Sequence, residues 1–581
     1  MNIKKSLNNF LSDHEDLYLI LISTLVGLLA GYGNLIFRYM IGFIQKFFYG
    51  SDSEYFLQVL ENTPLYKIIL IPAVGGLLVG IIAMIFKSAK GHGVPDVIKV
   101  IALNRSISPF VAVIKTVSSA ITLGTGGSAG REGPIVQIGA ALGSGVGKLF
   151  KFSSSRMKSV IAAGAAGGLA ATFNAPIGGA MFAAEVLLGE FGIKTFSPII
   201  ISTVVATTIS RAYLGNHITF LAPPYQVVSP IEFIFYIILG LWCAVIGVIF
   251  IKTFYFFEEK FENLKLPSFV KPALGGLLLG IMGIFIKEVM GVGYDTIDDI
   301  LYSKAPFILI FILIFLKMVA TSLTLGSGGS GGLFVPSLFI GAAAGGVAGT
   351  VFHTLFPTIT ANSGAYGLVA MSAMLAATMR APLTAILIIF EITGNYQIIL
   401  PLMLSTIIAH IAASAIEKES IFTWILTKQG VRIRKGAEEQ ILDSIKVKEV
   451  MLTDIVTFRE NTPFKEILEG VKTAKHIYYP VLNSEGYLTG MLSLDDIKSV
   501  LFEEGLEDIV VAGEICTKKN LIYVYPEDTL STALKKLGIK DLGAIPVVED
   551  ENGKLKLIGL LRRSDIILAY NKALTQFMEN K

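Results

Sequence analysis

Two kinds of patterning divide this 581-residue chain. Up to about residue 428 the apolar runs are long, carry few charges, and are interrupted by glycine and proline rather than by polar loops. Residues 18–37 contain no acidic or basic side chain, which is about the 20 residues needed to cross a bilayer. A second run covers 67–86, and others lie near 231–256, 306–320, 382–390 and 397–415. Past residue 428 the pattern changes to short alternating strands and amphipathic helices. The change begins with basic residues at 431–435, next to the last apolar run, and positive charge there favours the cytoplasmic side. The expected organisation is a cytoplasmic N-terminal segment at 1–17, membrane repeats at 18–225 and 231–428, a linker at 429–445, and soluble units at 446–505 and 509–572.

The halves of the apolar region repeat each other. Residues 122–140 recur at 324–342, every position 202 further along, and Glu132 falls opposite Phe334. Residues 72–80 return at 272–280, and the sequence at 91–96 has a degenerate echo at 291–295. Residues 169–176, running on to Glu185, match 375–382, running on to Glu391, at an offset of 206. Duplicated halves with Gly/Pro breaks in matching places are the pattern of a transporter whose site lies where the breaks meet. The soluble tail repeats too, since 479–497 returns in degenerate form at 545–566.

Composition agrees with the pattern. Of the residues 53% are hydrophobic and 16% charged, and 58 are glycine, as closely packed or broken membrane helices require. A net charge of +3 gives no reason to expect a nucleic-acid partner, and two cysteines, Cys243 and Cys516, suggest neither a disulfide framework nor a metal site. No small-residue cleavage site follows the first apolar run, so no removable signal peptide is expected.

The chemistry concentrates at 122–140, where Glu132 is the single carboxylate. Glycine frees the backbone to leave the helix, and Pro134 suits the first turn of a new one. Exposed N–H groups and the positive end of the dipole then face an anion. A carboxylate in that position competes with the anion for the same N–H groups when charged and vacates them when protonated. It costs about 2.5–3.5 kcal/mol to insert, so a functional role is the default.

On these residues the chain resembles the CLC family of chloride channels and proton-coupled chloride exchangers, carrying a C-terminal pair of CBS domains. The motifs are Gly91, His92, Gly93, Val94 and Pro95; Gly130, Arg131, Glu132, Gly133 and Pro134; Gly332, Leu333, Phe334, Val335 and Pro336; and a last short helix around Phe422. The resemblance implies an α-helical polytopic membrane protein built as an inverted repeat with broken helices, followed by a cytoplasmic α/β CBS pair. It also implies a homodimer in the cell membrane with a pore in each subunit, passing chloride and similar anions, with protons as partners. Both termini are expected in the cytoplasm. Glu132 takes the place of the family's gating glutamate.

Departures from the family pattern carry information. His92 stands where a serine is usual, and Phe422 replaces the tyrosine that donates to the central ion, which points to a weaker or pH-tuned site. Val186 occupies the position of the exchangers' internal proton glutamate, one residue after Glu185, and cannot carry a proton. That favours a channel, with a proton-coupled antiporter as the alternative. Glu185 is expected to be structural, since Glu391 matches it.

The CBS pair resembles adenine-nucleotide sensors. Asp496 and Asp565, each on a first helical turn, would hold ribose; Ser493 keeps the family's hydroxyl, and Arg562 would meet phosphate. Val456, Thr457, His476, Tyr478 and Pro480 would line the adenine pocket. ATP, ADP or AMP is the expected ligand, and no cofactor is required.

Other classes fit less well. No His-Glu-x-x-His occurs among the six histidines, which removes an intramembrane metalloprotease. A CBS-regulated magnesium channel would need several converging carboxylates or carbonyls, and no catalytic or metal-binding residues are expected.

Overall fold

A backbone surrounded by lipid has to satisfy its own hydrogen bonds, so an apolar chain of this kind folds as helices. The computed structural model describes residues 15–189, 191–216, 220, 225–428, 442–473, 477–501, 509–518, 521–539, 542–551 and 553–579. It divides into two units, Met1–Ile433 and Arg434–Lys581.

In the first unit the helices are α1 (Glu15–Tyr49), α2 (Phe56–Glu61), α3 (Leu65–Ile85), α4 (Val94–Ala102), α5 (Phe110–Gly124), α6 (Glu132–Leu149), α7 (Ser154–Phe173), α8 (Pro176–Phe182) and α9 (Ile193–Leu214). The order then repeats as α10 (Glu232–Asn263), α11 (Val270–Phe285), α12 (Tyr294–Leu301), α13 (Phe307–Gly326), α14 (Phe334–Leu355), α15 (Ser363–Met379), α16 (Pro382–Thr393) and α17 (Ile399–Ile416), closed by α18 (Trp424–Lys428). Among the described residues seven helices are long and apolar enough to span a membrane, and five shorter apolar ones accompany them.

Matching residues break the helices in both halves. Asn174 and Arg380 end α7 and α15 in the left-handed conformation, at φ 58° and 61°. Ala175 and Ala381 then leave the helical region, at φ −126° and −128°, as the residue before a proline tends to, and Pro176 and Pro382 open α8 and α16.

The halves meet about a local two-fold axis. The Gly130 N–H donates to the Gly332 carbonyl at 2.8 Å, and the Gly332 N–H returns the bond at 2.7 Å. An antiparallel pair of equivalent residues relates the two halves by a local two-fold rotation, as the expected inverted repeat would have it. Reciprocal bonds surround it: the Ser128 N–H donates to Thr324 Oγ1 and the Ser330 N–H to Thr122 Oγ1, both at 3.1 Å. Helices α3 and α11 cross so closely that a Cβ on Gly76 would stand 2.1 Å from the Pro272 carbonyl oxygen, and one on Gly276 2.1 Å from that of Pro72.

The second unit contains two small α/β copies. In the first, β1 (Phe458–Arg459) pairs parallel with β2 (Tyr478–Leu482), which pairs antiparallel with β3 (Leu488–Ser493). In the second, β4 (Ala544–Glu551) pairs antiparallel with β5 (Lys554–Arg562). Register shifts fall at the same place in both, at Val481/Leu482 and at Val547/Val548. The copies also exchange bridges, Leu452 with Leu560 and Met491 with Thr517.

Candidate functional site

Three sequence motifs widely separated along the chain converge at the breaks. Gly93, at φ +81°, lets the chain reverse into α4, and Gly293, at φ +92°, does the same before α12. A Cβ on Gly133 would lie 2.2 Å from the His92 carbonyl oxygen and 2.8 Å from the Gly332 Cα, so only glycine allows the three loops to touch. The N-termini of α4, α6 and α14 therefore gather around one point, with Val94, Pro95, Gly133, Pro134, Val335 and Phe334 buried there. The preceding residues Gly93, Arg131 and Leu333 provide no side-chain cap; the Val94 N–H turns back to the His92 carbonyl at 3.0 Å, and the positive dipole ends of α6 and α14 face the Glu132 carboxylate.

Glu132 is buried at this point. Its Oε1 accepts from the Tyr294 hydroxyl at 3.4 Å, and its Oε2 has no hydrogen-bond partner among the described residues. The backbone N–H groups of Glu132 and Val335 bear on the carboxylate. Arg131, its neighbour in sequence, turns to Glu54 instead, with Nη1 3.3 Å from Oε1, and Arg38 holds the same oxygen at 2.7 Å.

His92 is buried, its Nδ1 has no hydrogen-bond partner among the described residues, and its ring meets Phe254 of α10 edge-on at 5.0 Å. The next residue, Tyr255, donates to the Ile421 carbonyl at 2.5 Å and stacks on Trp424 at 4.1 Å. One turn of α10 thus serves both His92 and the segment holding Phe422, which is buried. The Phe334 ring rests 5.1 Å from Phe173.

Two further lysines bear on the site. Lys115 of α5 and Lys317 of α13 are fully buried and 202 positions apart. Lys115 Nζ donates to the Gly91 carbonyl at 2.6 Å, and Lys317 Nζ to those of Gly291 and Val289 at 3.0 and 3.1 Å. Each fixes the loop that precedes a half-helix. Insertion of each lysine costs about 2.5–3.5 kcal/mol, and charge-assisted hydrogen bonds of about 1.5–3 kcal/mol offset most of that. Sequence reading missed both, although isolated lysines at matched positions of apolar helices were a usable signal. It also missed Arg38, Glu54, Tyr294 and Phe254, whose partners are far away in sequence.

Glu185 lies in the π-helical turn Ala183–Leu188, beside half-buried Val186. Its carboxylate accepts from the N–H groups of Leu383 and Thr384, at 3.2 and 2.7 Å, at the start of α16. Glu391 does the same for Ile177 and Gly178 at the start of α8, at 3.1 and 2.6 Å. The two glutamates cap each other's helices across the repeat.

In the second unit Asp496 accepts from the Ser493 N–H at 2.8 Å and hydroxyl at 2.6 Å, capping the helix after β3. Arg562 donates through Nε and Nη2 to Asp565, at 2.8 and 2.6 Å, so each already has a partner. Tyr478 and Pro480 lie on β2, the Gly543 N–H donates to the Tyr478 hydroxyl at 3.2 Å, and Val456 and Thr457 precede β1. His476 lies outside the described residues.

The family profile for voltage gated chloride channels matches residues 75–414, and that for CBS domains matches 447–503 and 512–572. Chloride channel protein CLC-f of Arabidopsis thaliana is 30% identical over 633 residues, covering 94% of this chain and 80% of that one. The voltage-gated ClC-type chloride channel ClcB of Escherichia coli O17:K52:H18 is 32% identical over 410 residues, covering 69% of this chain and 97% of its own. Among solved structures, a slow cyanobacterial Cl-/H+ antiporter aligns with a TM-score of 0.66 at 27% identity, over 71% of this chain and 98% of that one. A eukaryotic CLC transporter, 20% identical with a TM-score of 0.61, covers 94% of this chain and 98% of its own, and shares the fold. Its helices, its broken repeat and these matches place the chain in the voltage gated chloride channel family, the CLC proteins, as a multi-pass membrane chloride transporter with a C-terminal CBS pair and not an enzyme.

Proposed function

We propose that this protein passes chloride and similar monovalent anions through a pore in each subunit of a cell-membrane homodimer, with protonation of Glu132 as the gate. The observation that carries this reading is the buried Glu132 carboxylate among the uncapped N-termini of α6 and α14, where an anion would otherwise receive the same N–H groups. When charged it occupies the anion's place; when protonated it has less hold on the N–H groups and swings away. Backbone dipoles attract chloride without a full fixed countercharge, so the ion also leaves. His92, with one ring nitrogen free, adds a titratable donor where Phe422 offers none.

Conduction without proton coupling is the first reading, because Val186 carries no proton. A second reading, proton-coupled antiport, draws support from the likeness to the slow cyanobacterial Cl-/H+ antiporter. In either case both termini face the cytoplasm, and the CBS pair binds adenine nucleotide, most directly at the Ser493–Asp496 turn. At the other copy the Arg562–Asp565 pair would have to open first. Glu132→Gln, reconstituted in liposomes, should conduct chloride with little dependence on pH. A variant that keeps the full pH dependence would remove Glu132 from the gate.

A further inference from the structure

Among the described residues the Glu132 carboxylate has one side-chain donor, the Tyr294 hydroxyl, 162 positions away. Tyr294 opens α12, directly after the positive-φ turn at Gly293. The ring is held in place: Phe220 packs against it at 5.4 Å, and the Arg131 guanidinium lies 5.3 Å from its centroid. Arg131 would be the obvious partner for Glu132, yet its charge is drawn to Glu54, which Arg38 also holds. The groups facing the gate are thus Arg131 beside it and Tyr294 from α12, with Glu54 and Arg38 acting through Arg131. The hydroxyl stands at 3.4 Å, the outer edge of a hydrogen bond, so it is a contact easily made and released.

We infer that Tyr294 is a positioning residue for the gate: its hydroxyl latches the charged Glu132 carboxylate in the shut position, while its ring seats Arg131 away from that carboxylate. A hydroxyl donates well to a carboxylate and poorly to a protonated carboxyl, so the latch releases on the event that opens the gate. The latch favours the charged, shut form, and more acid is needed to open the pore with it than without it. This inference rests on Glu132 being the gate.

The test is chloride flux from liposomes across the acidic to neutral range, for the unaltered protein, Tyr294→Phe, Glu132→Gln and the double variant. Phenylalanine keeps the ring contacts with Phe220 and Arg131 and removes only the hydroxyl. The expected result is a neutral-pH flux about 3- to 10-fold higher in Tyr294→Phe, with the acid-activated limb moved to higher pH, as loss of one long, weak hydrogen bond implies. The double variant should match Glu132→Gln alone. An unshifted profile for Tyr294→Phe beside a flattened one for Glu132→Gln would overturn the latch and leave the gate standing. An equal effect of Tyr294→Phe in the Glu132→Gln background would also overturn it, because the hydroxyl would then act elsewhere. Full pH dependence in Glu132→Gln would overturn gate and latch together.

Discussion

A single charged side chain in an apolar helix has to be held, and the holding is what this structure makes visible. Lys317 is fully buried and donates to the carbonyls of Val289 and Gly291, the loop that aims α12 and its Tyr294 at Glu132. Lys317→Met keeps the length of the side chain and leaves two carbonyls without their donor. The variant should lose about 1–3 kcal/mol of stability, seen as a lower thermal unfolding midpoint in detergent. An unchanged midpoint would mean that the loop holds itself. At this scale Glu132 was legible in the sequence, as a lone carboxylate in a glycine-rich break. Arg38, Glu54 and Tyr294 were not, because their relation to it exists only after the chain has folded over long separations. Arg131 shows why adjacency misleads: it stands next to Glu132 and pairs with Glu54.

Between elements, the short helices α8 and α16 have no caps of their own. Each takes its acceptor from the opposite half, α8 from Glu391 and α16 from Glu185. A carboxylate at a helix N-terminus satisfies orphan N–H groups and meets the positive end of the dipole. Glu391→Ala should therefore cost about 1–2 kcal/mol, as loss of a strong N-cap does, and Glu185→Ala a similar amount. Thermal unfolding of the two variants would check this; a loss confined to one of them would contradict the reciprocal brace. The match of Glu185 with Glu391 already suggested a structural part for Glu185. That each serves the other's helix was not legible, since a repeat in sequence does not say how its copies dock.

Over the whole membrane unit, the duplication seen at offsets near 202 becomes a two-fold arrangement with Gly130 and Gly332 bonded to each other at its centre. The periodic pattern made the repeat and its broken helices legible, while the direction of the second half depended on contacts no pattern records. The asymmetry is chemical: on the two-fold-related helix starts one copy presents Glu132 and the other Phe334, so only one side of a symmetric frame offers a carboxylate. In the proposed reading a proton on Glu132 does not cross the membrane with chloride, because Val186 cannot carry one. The most direct measurement is proton movement driven by a chloride gradient in liposomes holding the purified protein, with the voltage set to oppose passive proton flow. Glu132 as a gate with Val186 in place of a carrier predicts chloride flux without proton movement. A pH change that follows the chloride gradient against that voltage would contradict it and make the protein an exchanger with a proton route that bypasses Val186.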